Sequence, residues 1–377
     1  MAGIYIHIPF CKQKCHYCSF HFSTTFSKYR RRMIDAILLE IQNEKHLITE
    51  SIQSIYFGGG TPSLLNTEEL VEILFSVRSN YDVSASAEIT LEANPDDITR
   101  QKAYDWLGSG INRLSIGVQS FHEENLQSMN RAHNAVEAIG AIEIVKNAGF
   151  TSYSVDLMFA LPGLTNELWK KNLQKVIDLK VPHLSCYNLT IEEQSTLIEL
   201  IKQKKRPALS EQNSVDQFKI AMDVLGAAGY VQYEISNYCL PGNESFHNSA
   251  YWEQQDYLGI GPSAHSFLSG DRYHNVANNT LYMKGIEGNS VNELSIKEKE
   301  ELSDANKFNE IVMTRLRCRD GLDLVALAGR FPALFGEFEK ELILQLSLGN
   351  ISLEDSVVTL TEKGKFIADQ VAVDLFV

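Results

Sequence analysis

The chain has 377 residues, 44% hydrophobic and 22% charged, an ordinary globular composition with room for one large domain and a smaller one. A net charge of -14, from 34 Lys and Arg against 48 Asp and Glu, argues against broad nucleic-acid binding, because phosphate contact needs clustered cations to displace counterions. The sequence opens without a charged-then-apolar pattern and holds no apolar run near the ~18 residues of a membrane span, so a soluble protein of the reducing cytoplasm, without stable membrane insertion, is expected.

The first element is a β-rich stretch at 4–8, and directly after it stand Cys11, Cys15 and Cys18 in a Cys-x-x-x-Cys-x-x-Cys run. Thiolates clustered on one short loop suit an iron-sulfur cluster. A [4Fe-4S] cube normally takes four Cys ligands, so a three-Cys loop leaves one iron open to bind something that reacts there. A structural zinc site completed by His16 or His21 is the competing reading. Cys186, Cys239 and Cys318 read as plain buried thiols.

Further β-rich stretches at 54–57, 88–92, 113–118, 153–158 and 183–189 alternate with helical patterns at 29–45, 67–77, 99–107, 135–147, 166–179 and 214–228. Parallel strands require such crossovers, and the repeated unit predicts an α/β fold, a partial (β/α)6 barrel. A doubly wound open sheet is the alternative, but phosphate-loop glycines would then follow the first strand, where the Cys run stands instead.

Chemistry in barrels gathers where strands end. Gly58-Gly59-Gly60-Thr61-Pro62 follows the second strand, Glu92 and Asn94 end the third, Gln119 ends the fourth with Arg131 on the next loop, and Asp156 lies on the fifth. Glycines there let backbone approach a ligand and offer N–H groups to a carboxylate. The basic runs at 28–32 and 202–206 read as solvated faces.

After a core at 1–230, residues 231–290 read as a connecting segment in which 258–265 is a glycine-rich turn signal, with His265 a weaker ligand candidate. Residues 291–377 form a third unit, with helical patterns at 305–317, 322–329 and 338–346, then a two-stranded wing at 351–360 and a last helix. Arg315, Arg317 and Arg319 lie close together there, yet the unit is mixed in charge. A winged-helix-like module for packing or partner docking is therefore expected, without nucleic acid.

The stretches Tyr5-Ile-His-Ile-Pro-Phe-Cys11, Gly58 to Pro62, Glu92-Ala-Asn-Pro95, Gly117-Val-Gln-Ser-Phe121, Asn130-Arg131, Asp156-Leu-Met-Phe-Ala-Leu-Pro162 and His247-Asn-Ser-Ala-Tyr-Trp252 resemble one family. It is the radical S-adenosylmethionine (SAM) proteins, in the branch that holds oxygen-independent coproporphyrinogen III dehydrogenases and haem chaperones. The resemblance implies a [4Fe-4S] cluster on Cys11, Cys15 and Cys18 with Tyr17 beside it and SAM on the open iron. It also implies that Tyr5, Gly59, Gly60 and Thr61 line the methionine end of SAM, that Glu92 and Arg131 hold its charged groups, and that Gln119 and Asp156 bond its ribose hydroxyls.

The dehydrogenases resemble Cys-x-x-x-Cys-x-x-Cys-x-Cys after a longer leader, whereas here Phe20 holds the fourth Cys position and Cys11 lies near the start. The segment 247–252 is similar instead to the His-Asn-x-x-Tyr-Trp motif of the chaperones, which implies His247, Tyr251 and Trp252 as haem contacts. Those residue types suit the role, a neutral imidazole being a usual haem-iron ligand and aromatic rings packing on a porphyrin face. A haem chaperone is thus expected, with haem as cargo, acceptor haem proteins (respiratory ones among them) as partners, and room for a homodimer. The dehydrogenase, which predicts porphyrinogen turnover, and a radical SAM modifier of RNA, which predicts a basic face, are the alternatives.

Overall fold

A computed structural model describes residues 1–192, 195–208, 210–288 and 296–377. Strand-helix units open the chain: β1 (Ala2–Ile8) and α1 (Arg30–Asn43), β2 (Ile52–Gly59) and α2 (Thr67–Asn80), β3 (Val83–Ala93) and α3 (Arg100–Ser109). They continue with β4 (Arg113–Gln119), α4 (Glu123–Ser128) and α5 (Ala135–Ala148), then β5 (Ser152–Phe159) and α6 (Asn166–Asp178), then β6 (His183–Asn188), α7 (Thr196–Lys202) and α8 (Glu211–Ala227). β1 to β6 pair in sequential order, all parallel.

Side chains alternate across a strand, and here the two faces have opposite chemistry. Ile4, Ile6 and Ile8 of β1, Ile55 and Phe57 of β2, Leu114, Ile116 and Val118 of β4, and Val155 and Leu157 of β5 are fully buried in one core with the crossover helices. The intervening residues Tyr5, Tyr56, Glu92, Ser115, Asp156 and Tyr187 line interior cavities. The inner face is therefore polar, a hollow suited to a ligand.

Helix limits follow their caps. Asn66 and Asn134 each accept from the backbone three residues on, with Glu69 and Glu137 reaching back, while α3 and α5 stop at Gly110 and Gly149 in left-handed conformation.

The chain then forms β7 (Val231–Glu234), β8 (Asn237–Cys239), α9 (Phe246–Trp252), β9 (Asp256–Ile260), β10 (His265–Leu268), β11 (Asp271–Asn275), α10 (Asn279–Glu287) and β12 (Lys297–Glu300). The sheet order is β12-β11-β10-β9-β1-β2-β3-β4-β5-β6-β8-β7, with β9 parallel to β1. Among the described residues the two edge strands are not paired with one another, so the barrel is partial. Residues after 230 thus add strands to both edges.

The glycine-rich run at 258–265 is a strand up to Ile260, not wholly a turn. Its glycines answer close approach: a Cβ on Gly259 would stand 2.0 Å from the His265 carbonyl oxygen, and one on Gly261 (φ 100°) would stand 2.5 Å from that of His7.

A second core, around Phe308, Val312, Phe338, Val358 and Val371, belongs to the C-terminal unit. It comprises α11 (Asp304–Leu316), β13 (Leu322–Asp323), α12 (Leu324–Arg330), α13 (Phe335–Ser347), β14 (Ile351–Glu354), β15 (Val357–Leu360), α14 (Glu362–Lys365) and α15 (Ala368–Asp374). β14 and β15 form the expected wing hairpin, and β13 adds a third antiparallel strand. Asp355 and Ser356 at its tip have φ of 48° and 68°, the positive pair that a two-residue type I′ turn requires. The expected boundary at 290/291 lies outside the described residues. Among the described residues no helix is long and apolar enough to cross a membrane.

Candidate functional site

The C-terminal strand ends and the Cys loop meet at one cavity of about 380 Å³. Its wall holds the three Cys residues with Tyr17, Gly59, Gly60, Thr61, Glu92, Gln119, Arg131 and Asp156. Tyr5 stands one layer lower and lines an adjoining chamber.

Arg131 organises the rim. Its Nη1 lies 3.4 Å from Cys15 Sγ and 3.2 Å from Tyr17 Oη, and its Nη2 donates to Asn94 Oδ1 at 2.6 Å and the Gly117 carbonyl at 2.7 Å. Its buried Nε has no protein partner. Thr61 Oγ1 donates to Cys11 Sγ at 3.4 Å. Burial pushes the Cys11 thiol up to about 12, against the pull of Thr61 and Arg131.

These residues fit a three-Cys iron-sulfur cluster. Soft sulfur ligands sit beside a cation and a hydroxyl donor, and among the described residues no further Cys or His lines the cavity, so the fourth side of a cube would face open space. The imidazoles that would complete a zinc site are engaged elsewhere: His16 Nδ1 with the Ser128 carbonyl at 2.9 Å, His21 Nε2 with Asn279 Oδ1 at 2.7 Å.

Two half-buried acids also line this cavity. Glu92 accepts from Tyr56 Oη at 2.8 Å, and burial, with Asp156 nearby, pushes its carboxyl up to about 7. Asp156 accepts from Ser115 Oγ at 3.1 Å and is also raised by burial. Such acids ionise more readily once a cationic ligand arrives.

Gln119 ends β4 in left-handed conformation (φ 67°), where the register with β5 shifts. Strain of about 1 kcal/mol or more is common at ligand sites. The Gly-rich turn serves packing as well as access: a Cβ on Gly59 (φ 101°) would stand 2.5 Å from the His7 ring, and one on Gly60 2.6 Å from the Phe10 carbonyl oxygen.

Sequence reasoning missed Tyr56, Ser115 and Tyr187. Tyr56 and Ser115 lie two residues before Gly58 and Gly117, so the strand period was the available signal.

Below this cavity lies a chamber of about 190 Å³ that shares Tyr56, Ser115 and Tyr187 with it. His247 and Tyr251, four residues apart on one face of α9, line the chamber. His247 is 3% exposed, its Nδ1 is 2.7 Å from Ser54 Oγ, and its ring stacks on Tyr56. Its Nε2 has no protein partner, and burial lowers its pKa to about 3.

Glu88 anchors α9 by accepting from Ser245 Oγ and from the Phe246 and His247 backbone N–H groups at 2.9 to 3.2 Å. Trp252 faces elsewhere, under the Arg317 guanidinium at 5.4 Å. The three aromatic residues therefore do not form one haem-facing surface in this conformation. The chamber is also smaller than the ~300 to 1,000 Å³ of pockets for drug-sized ligands. His265 is exposed and stacks on His274.

Residues 5–176 match the radical SAM superfamily, and residues 302–367 match the HemN C-terminal domain. The chain is 34% identical to the heme chaperone HemW of Lactococcus lactis, covering 96% of this chain and 93% of that one. It is 30% identical to the heme chaperone HemW of Bacillus subtilis, covering 98% of each. Among solved structures it is similar to coproporphyrinogen III oxidase (HemN) from Escherichia coli, with a TM-score of 0.86, 24% identity and coverage of 100% of this chain and 90% of that one.

Proposed function

Because the chain belongs to the radical SAM superfamily and, within it, to the HemW haem-chaperone family, we propose that it binds haem as cargo and passes it to acceptor haem proteins, respiratory ones among them. In this reading it works in the cytoplasm, without nucleic acid, and pairs as a homodimer.

Cys11, Cys15 and Cys18 hold a [4Fe-4S] cluster, and SAM occupies the main cavity. When bound, the cluster would supply one-electron chemistry toward SAM. Arg131 pairs with the carboxylate of SAM and Glu92 with its ammonium, charge-assisted contacts made in a buried site. Gln119 and Asp156 accept from the ribose hydroxyls, Gly59, Gly60 and Thr61 border the methionine end, Tyr17 packs beside the cluster, and Tyr5 supports the cavity from below. His247 and Tyr251 meet haem at the chamber, and Trp252 joins them only if α9 shifts.

The observation that carries this reading is the convergence of three thiols, one half-buried guanidinium and two half-buried acids on a single cavity. Phe20, 71% exposed at its mouth, stands where the dehydrogenases resemble a fourth Cys.

One sample tests the reading. After anaerobic reconstitution, about four iron and four sulfide per chain, a haem Soret band and no consumption of coproporphyrinogen III are expected. Changing the three Cys residues together to Ala should remove the iron. Stoichiometric zinc without iron-sulfur absorption, or brisk conversion of coproporphyrinogen III, would overturn it.

A further inference from the structure

The chamber beneath the main cavity has a single formal charge on its wall. Among the described residues lining it, Arg113 is the only Asp, Glu, Lys or Arg, and it is 3% exposed. Its Nη1 donates to Ser152 Oγ at 2.9 Å, and its Nε lies 3.9 Å from Glu88. That is a long pair, and Glu88, which is not on the wall, also accepts the three donors at the start of α9.

Two imidazoles join Arg113. Asn248 Nδ2 donates to Tyr233 Oη at 3.2 Å, which leaves the phenol hydrogen for His183 Nε2 at 2.8 Å. With the phenol donating to Nε2, the ring proton of His183 is assigned to Nδ1, which has no protein acceptor, in a side chain 2% exposed. His247 Nε2, on the same wall, also has no protein partner. Buried polar atoms left unmet by protein call for a ligand or ordered water. Burial holds both rings neutral at pH 7, so the positive charge of the chamber comes from Arg113.

We propose that this chamber binds a carboxylate group, paired with the Arg113 guanidinium and accepting from His183 Nδ1. Its volume of about 190 Å³ suits a short acid, or the carboxylate arm of a larger molecule reaching down past Tyr56, Ser115 and Tyr187. Haem carries such arms, so one source rests on the haem reading above; a free short-chain acid does not.

The probe is sodium propionate, titrated at pH 7 into the full chain labelled with ¹⁵N-histidine. The His183 and His247 ring signals should shift and saturate in about the millimolar range. Arg113→Gln should weaken this at least tenfold. Because that change also loosens Glu88, His183→Phe serves as a second variant, expected to weaken propionate binding with circular dichroism unchanged.

Absence of a saturable shift, the same affinity in both variants as in the wild type, or only ordered water in the chamber of a crystal grown with propionate would overturn the site. Haem and its dimethyl ester separate the sources. Displacement of propionate by haem alone assigns the arm of haem, displacement by neither assigns a free acid, and displacement by both overturns the carboxylate assignment for haem. The Soret band reports haem binding independently: propionate binding without it removes the haem reading and keeps the site, and the reverse removes the site alone.

Discussion

Arg131 is the residue on which the charge of the main cavity turns, since its guanidinium touches a thiol, a phenol and Asn94 while its Nε is unmet. Arg131→Ala should leave cluster iron in place but weaken SAM binding by about 1.5 to 3 kcal/mol, roughly ten- to a hundredfold. An unchanged dissociation constant by calorimetry would show that the guanidinium only braces the loop. Glu92 makes a second prediction. Its folded-state pKa of about 7 lies above the ordinary 4.5, so the folded chain keeps a proton that the unfolded chain releases. The stability this gives is complete below about pH 4.5 and is lost as pH rises through 7, a change on the order of 3 kcal/mol. Glu92→Gln should flatten that slope in urea denaturation of the cofactor-free protein between pH 5 and 7. An identical slope in the variant would place the pH dependence elsewhere.

Between elements, polar contacts do what an apolar core would do elsewhere. Glu40 of α1 is 0% exposed and accepts from Gly261 N at 2.7 Å, Asn275 Nδ2 at 2.6 Å and Tyr282 Oη at 2.6 Å. One carboxyl thus ties α1 to the turn after β9, to β11 and to α10. Glu40→Ala leaves those donors unmet and should destabilise the chain by about 3 kcal/mol or more, with Glu40→Gln costing less because one acceptor remains. Equal urea midpoints for Glu40→Ala and wild type would show that the donors find other partners. Glu88 has the corresponding role for α9, where it fixes the ring of His247 against Ser54.

At the scale of the whole molecule, the two cores are joined through β7 and α9. Ile235 N donates to the Arg317 carbonyl at 3.0 Å, Arg319 N donates to the Tyr233 carbonyl at 2.9 Å, and Arg317 lies over Trp252. The C-terminal unit should therefore unfold with the barrel in one calorimetric transition, and Arg317→Ala should lower its midpoint by losing a cation–π contact worth about 0.5 to 2 kcal/mol. Two separate transitions in the wild type would show that the cores are independent. Much of this architecture could be read from the chain. The first six strands, the Cys loop and the polar rim depend on local alternation and on residues at strand ends, which appear as spacing along the sequence. The position of β9 beside β1, the placement of Tyr5 below the main cavity, the packing role of Gly59, and the burial of His247 could not be read in that way. Each depends on which distant segment lies alongside: β9 pairs with a strand some 250 residues earlier, and His247 meets Ser54 across 193 positions. Periodicity states which face of a segment is apolar. It is silent on what that face, or the polar one behind it, will meet, because pairing between distant segments depends on the packing of the whole chain and leaves no period in the sequence.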